Sequence, residues 1–229
     1  MSPPNRGVFV VIEGLDRSGK STQAARLLSR VQSEAAQCQP PDSEPRCSAV
    51  LIKFPDRTTA IGKTIDGYLR SEAELDDHAI HLLFSANRWE LAPTILAHLA
   101  AGTTVIADRY AFSGIAFSAQ KSPALAYEWC RAPDVGLPAP DLTLFLNVDP
   151  EAAMLRGGYG EERYETREVQ RKVREIFERI GREMSEGASG KWVMVDAGQD
   201  RDKVTDDIWE AVGPVLRSAD TPVTRLWEN

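Results

Sequence analysis

Gly14-Leu15-Asp16-Arg17-Ser18-Gly19-Lys20-Ser21 meets the spacing G-x-x-x-x-G-K-S/T at every required position. These residue types at that spacing bind phosphate. Glycines let the backbone curl with its N–H groups pointing inward, and the lysine reaches the β- and γ-phosphates. The hydroxyl of Ser21 is a ligand for Mg²⁺. A chance glycine-rich turn would lack the flanks seen here. Val8–Ile12 is β-branched and aromatic, which predicts a strand, and Thr22–Leu28 reads as the start of a helix. A helix N-terminus facing the loop adds partial positive charge at the same point. The chemistry implied is binding of a nucleoside triphosphate.

Three further groups could share that chemistry. Thr103–Ala107 is an apolar run that ends in Asp108, the Walker B arrangement in which a carboxylate at a strand tip meets Mg²⁺. An acid after a buried strand is common, and only the phosphate loop gives it meaning. Arg109 follows directly and is a second candidate phosphate ligand. Arg57 follows the strand Ala49–Phe54 and its terminator Pro55. In an open parallel sheet ligands gather outside the carboxyl ends of strands, so Arg57 is placed to meet an anion, although it reads equally well as a solvated loop arginine. Phe84 and Arg88 stand four residues apart and share a helix face. Such a pair can hold a nucleobase, but spacing alone favours Phe84 as ordinary core. His78 and His81 lie near Asp76 and Asp77 with no third ligand in view, so a polar helix face is expected there and not a metal site.

The elements that position these groups alternate. The first helix is expected from Ser21 to about Gln37. A proline-rich polar segment follows, Cys38 to Arg46, expected to be a mobile surface loop. Helices are predicted at Ile61–Leu69 and Asp76–Glu90, with Pro93 kinking or restarting the latter before it runs on to about Ala101. Further helices are expected at Phe112–Lys121, Leu125–Arg131, after Asp149-Pro150, at Glu168–Met184 and at Asp202–Arg217. Leu142–Val148 and Lys191–Val195 are the remaining strands. The glycine-rich run Arg156–Glu165 has the composition of a lid, or of a plain surface loop. Five strands alternating with helices give an α/β fold: a doubly wound five-stranded parallel sheet with helices on both faces, of P-loop NTPase type with a short lid. The chain is read as one P-loop domain over 1–229, with the lid at 156–168.

With 229 residues and 42% hydrophobic content there is enough chain for one large core. A net charge of −7 argues against nucleic acid as a partner. No run is long and apolar enough to cross a membrane, and the first residues do not resemble a signal peptide. Cys38, Cys47 and Cys130 form no disulfide or metal pattern, so a cytoplasmic or nuclear location is expected.

Taken together, the segments resemble thymidylate kinases of the eukaryotic type, among the P-loop nucleoside monophosphate kinases. The match rests on the phosphate loop, Phe54-Pro55-Asp56-Arg57, Leu82–Glu90, Asp108–Gly114, Pro133–Pro138 and Glu162-Arg163-Tyr164-Glu165. It covers nearly the whole chain. Gln39–Arg46 looks longer than the family usually has. The resemblance implies transfer of the γ-phosphoryl of ATP to dTMP, giving dTDP, with Mg²⁺ held at Ser21 and Asp108. Asp16, Arg17, Ser18, Gly19, Lys20, Ser21 and Thr22 are then expected around ATP, with Arg156 and the loop Ala197-Gly198-Gln199 on its adenine. Arg57 and Arg109 would hold the dTMP phosphate, Phe84 would stack on thymine and Arg88 would meet its carbonyl edge. Phe54, Ser113, Gly114, Phe117 and Tyr164 would line the same pocket, and Asp16 would take the 3′-hydroxyl. Arg163 and Glu165 belong to the lid. The resemblance also implies a homodimer.

Arg17 occupies a site where a phosphate loop needs no cation. The lid tip, Gly157 to Glu162, has no Lys or Arg, and relatives whose loop lacks this arginine typically carry basic lid residues. Arg17 is therefore expected to act as an arginine finger in cis, oriented by Glu165; together with Lys20, Asp108 and Arg109 it makes up the expected catalytic set. Two other readings stay open. One is a kinase for a different nucleoside or nucleoside monophosphate. The other is a nucleotide-dependent switch, which the missing N-K-x-D motif and the extra arginines disfavour.

Overall fold

Runs of β-branched and aromatic residues make the five strands of the computed structural model, which describes residues 6–37, 49–121, 125–156, 162–186, 190–217 and 221–228. The strands are β1 (Phe9–Gly14), β2 (Ala49–Lys53), β3 (Thr104–Asp108), β4 (Leu142–Asn147) and β5 (Lys191–Asp196). They form one all-parallel sheet in the order β2-β3-β1-β4-β5. The central strands β1 and β3 are buried along their whole length, as continuous apolar runs in a sheet covered on both sides must be.

Among the described residues eight α-helices accompany them: α1 (Lys20–Gln37), α2 (Ala60–Leu69), α3 (Asp77–Ala100), α4 (Ala111–Ala119), α5 (Tyr127–Arg131), α6 (Pro150–Met154), α7 (Arg167–Glu186) and α8 (Arg201–Leu216). Strand order and handedness fix their faces. The β1-to-β2 connection runs one way across the sheet, and every later one runs the other way. Right-handed crossovers therefore put α1 on one face and α3, α4 and α7 on the opposite face. Packing agrees: α1 lies against α8, and α4 lies between α3 and α7. Several helices start where a side-chain cap supplies acceptors for free N–H groups. Asp149 accepts from the amides of Glu151 and Ala152, with Pro150 in the first turn, as its sequence predicts.

Two expectations on α3 need correction. The helix does not restart at Pro93 but continues through it to Ala100. Pro93 faces solvent, so the carbonyl left without an N–H lies on the wet side, while Ala92, Ile95 and Leu99 hold the other side in the core. His81 is not part of a polar face but completely buried, whereas His78 is exposed. Among the described residues no cluster of three or more His, Cys, Asp or Glu is arranged to hold a metal, and no helix is long and apolar enough to cross a membrane. Cys130 is a free, buried cysteine. Cys38, Cys47, the segment Gln39–Arg46 and the lid tip 157–161 lie outside the described residues.

Candidate active site

The functional groups collect at the carboxyl ends of β1, β2 and β3. The turn out of β1 is possible only for glycine at its first position. Gly14 has φ +151°, and a Cβ there would lie 2.7 Å from the Leu146 carbonyl and 2.8 Å from Ser18 Oγ. Arg17 follows at φ 61° and Arg109, past β3, at φ 70°. Both are left-handed conformations uncommon for residues with a Cβ, and such strain is held only where surrounding contacts fix it.

Lys20, the first residue of α1, is 6% exposed. Its ammonium donates to the Leu15 carbonyl and, at 3.4 Å, to Ser18 Oγ. Burial, then the nearby Arg109 cation, pull it down to about 7, because both disfavour the charged form. Ser21 Oγ donates to Asp108 Oδ2 at 2.5 Å, so a hydroxyl and a carboxylate converge at the mouth of the loop. Arg156 bridges two segments: Nη1 donates to the Arg17 carbonyl at 2.9 Å and Nη2 to the Ala197 carbonyl at 2.8 Å. Gly198 and Gln199 lie exposed just beyond β5, with the Gly198 amide on Asp196 Oδ1.

A cavity of about 430 Å³ opens beside the loop. Asp16, Arg17, Gly19, Lys20, Ser21 and Thr22 form its loop side; Phe54, Arg57, Phe84, Arg88, Asp108, Arg109, Ser113, Gly114 and Phe117 form the remainder, with Tyr164 and Glu165 across the top. Phe84 is thus half-buried against the cavity and is not ordinary core. Of the residues singled out in the sequence, Ser18, Arg156, Arg163, Gly198 and Gln199 do not line it. Arg163 turns away, lying over the Tyr68 ring at 4.2 Å and pairing with Glu74.

Every arginine in the cavity has a carboxylate. Arg17 Nε donates to Glu165 Oε1 at 3.0 Å. Arg57 reaches Asp66 and Glu162, each at 2.6 Å. Arg109 pairs with Asp16 and donates to Ser113 Oγ at 3.0 Å, with Phe117 5.1 Å from its guanidinium. Arg88 donates through Nε at 3.0 Å and Nη2 at 2.6 Å to Asp134. Gly114 lies flat against that guanidinium: a Cβ there would come within 2.6 Å of Arg88 Nη2.

Sequence reasoning missed three of the groups that build this arrangement. Glu13, buried at the end of β1, accepts from the amides of Tyr110 and Ser113 at 2.9 and 3.0 Å and from Ser113 Oγ at 2.5 Å. It caps α4 from a distance and fixes the strained turn at Arg109; burial raises its pKa. Gln170 on α7 grips Asp16, accepting from its amide and donating to Oδ2 at 2.8 Å. Asp134 is the fully buried partner of Arg88. The available signals were a carboxylate inside an apolar strand, an amide on the inner face of α7, and an acid after Pro133 with no other reason to be buried.

A phosphate loop, an acid at the tip of the neighbouring strand and an arginine-lined cavity on the same sheet edge define a P-loop phosphotransferase. A model described as thymidylate kinase matches residues 12–208. The chain is 50% identical over 215 residues to a thymidylate kinase of Schizosaccharomyces pombe, covering 94% of this chain and 96% of that one. With the human thymidylate kinase the identity is 39%, over 97% and 98% of the two chains. A solved structure of the thymidylate kinase from Candida albicans, reported for its broad substrate specificity, superposes with a TM-score of 0.81 at 38% identity, over 96% and 98% of the chains. The chain belongs to the thymidylate kinase family.

Proposed function

We infer that this cavity is where dTMP receives the γ-phosphoryl group of ATP. The protein is an ATP-dependent thymidylate kinase that forms dTDP. The observation that carries the reading is one edge with two anion-binding regions, Lys20 on the phosphate loop and Arg57 with Arg109 across from it. Phosphoryl transfer needs alignment and charge neutralisation more than covalent chemistry.

In this reading Lys20 and the loop amides hold the ATP phosphates, with adenine toward Arg156, Gly198 and Gln199. Arg57 and Arg109 take the dTMP phosphate, exchanging carboxylates for it. Phe84 stacks on thymine, Arg88 meets its carbonyl edge, and Phe54, Ser113, Gly114, Phe117 and Tyr164 shape the remainder. Asp16 serves both substrates, and Arg17, held by Glu165, is the finger on the transferring group. Ser21 and Asp108 suit Mg²⁺. Two converging oxygens are the small protein share such an ion takes when substrate phosphates and water supply the rest. When bound, it neutralises charge on the phosphates. The single domain of 1–229, a lid at 156–168 and a cytoplasmic or nuclear location belong to the same proposal, as does a homodimer. For the dimer, Leu82 and Trp89, two turns apart on α3, are 47% and 41% exposed, a face suited to a second copy.

A coupled assay of ADP release tests the reading. Release should depend on dTMP, with dUMP a substrate and dCMP a poor one. Equal kcat/KM for dCMP and dTMP would contradict the base pocket, and acceptor-independent hydrolysis would favour a switch.

A further inference from the structure

His81 is buried beneath the cavity floor, and both its ring nitrogens are used. Nε2 lies 2.9 Å from the backbone carbonyl of Cys130, and Nδ1 lies 2.8 Å from Ser118 Oγ. A carbonyl oxygen can only accept, so Nε2 must carry the proton. Burial, then the nearby Arg88 cation, lower the imidazole to about 4, so near neutral pH the ring has one proton only. Nδ1 is therefore a bare acceptor, and the Ser118 hydroxyl must donate to it. The serine's single proton is then committed, and Oγ can offer only lone pairs to anything else.

Ser118 also lines the cavity. It lies one helical turn beyond Gly114, on the same face of α4, and Gly114 is the residue against the Arg88 guanidinium. Arg88 spends Nε and Nη2 on Asp134. Among the described residues its Nη1 makes no hydrogen bond and can only donate. The cavity floor thus presents a fixed donor and, beside it, a fixed acceptor.

We propose that Ser118, set as an obligate acceptor by His81, takes the N3–H of the acceptor's pyrimidine while Arg88 takes the 4-carbonyl, so that the pair reads the imide edge. This rests on thymidylate being the acceptor. The imide of thymine or uracil offers acceptor then donor, complementary at both points. Cytosine offers an amino group and a bare N3, a mismatch at both. His81 touches no substrate in this scheme. It is a positioning residue acting through the serine, and neither residue senses the 5-methyl group.

Two measurements on the full chain test it. The first compares kcat/KM for dTMP, dCMP and N3-methyl-dTMP in wild type and Ser118→Ala. Loss of one buried hydrogen bond should lower dTMP efficiency about tenfold, mainly through KM, and shrink the preference over dCMP and over the methylated analogue by about the same factor. Unchanged preferences, with dTMP still turned over by wild type, would overturn the role of Ser118 alone; no dTMP-dependent ADP release from wild type would overturn the acceptor assignment as well. The second is ¹⁵N NMR of the wild-type histidines, with His81 assigned by elimination using His78→Gln and His98→Gln. A protonated Nε2 beside a bare Nδ1 is expected at pH 7, and a protonated Nδ1 would refute the obligate acceptor whatever the kinetics show.

Discussion

The two halves of the cavity hold their cations in different ways. On the side proposed for ATP, Lys20 hydrogen-bonds a carbonyl and a hydroxyl among the described residues, and burial holds it well below its ordinary pKa despite the nearby Asp16, Asp108 and Glu13. On the acceptor side each arginine is already paired, and the pairs are of two kinds. Arg57 is 33% exposed, with Asp66 and Glu162 at 23% and 36%, whereas Arg88 and Asp134 are 3% and 0% exposed. Exposed pairs contribute little and exchange easily, while a buried pair is costly to break by removing one partner. In the proposed reading the difference follows the substrate: Arg57, placed to meet an anion, is held by partly exposed carboxylates, and Arg88, placed to meet a neutral base edge, is locked.

The largest test concerns the boundary between the halves, at Arg17. Its guanidinium is held by Glu165 and is proposed to meet the transferring group. Arg17→Gly should lower kcat about a thousandfold or more, within the range for arginine fingers, and leave ATP Kd nearly unchanged, because the contact strengthens only in the transition state. A drop under about tenfold, or a loss confined to ATP binding, would make Arg17 part of the ground-state phosphate cradle.

The contrast between locked and loose pairs is tested by stability. Asp134→Asn leaves Arg88 buried without its carboxylate and should cost about 3–5 kcal/mol, read from urea unfolding. Asp66→Asn removes one of two partners from a partly exposed arginine and should cost less than about 1 kcal/mol. Similar losses for the two variants would erase the distinction.

The strands, their order of alternation with helices and the phosphate loop were legible because each depends on local sequence: β-branched runs, glycine spacing, an acid at a strand tip. All of the proposed dTMP residues line one cavity; most of them follow strand ends, while Phe84 and Arg88 share one face of α3. What escaped was non-local. Asp134 lies in a proline-rich connection that reads as surface, and only the approach of α3 buries it against Arg88. Glu13 looks like a strand residue until α4 starts above it with no cap of its own. His81 reads as polar until Ser118 and the Cys130 carbonyl close around it. The helix passes through Pro93 because tertiary packing on one face outweighs one missing hydrogen bond. The lid is legible only in part, since Glu162 and Glu165 meet Arg57 and Arg17 while residues 157–161 fall outside the described structure.

The smallest effect is a proton. Free Lys20 titrates near 7, against an ordinary value of 10.5, so at pH 8 most molecules hold it neutral. Phosphate oxygens brought against it favour the charged form and restore a higher pKa. ATP binding at pH 8 should therefore take up about 0.9 proton per site, falling toward zero below about pH 6 where Lys20 is already charged. The free protein behaves oppositely. Its unfolded chain holds the lysine proton up to the ordinary value, so between about pH 7 and 10 the unfolded state binds more protons and stability rises with pH, while ATP affinity falls. Calorimetry of ATP binding in buffers of different ionisation enthalpy reads the uptake directly. Lys20→Met should abolish it along with most of kcat. Uptake that survives this substitution would assign the proton to another group and remove Lys20 from the comparison.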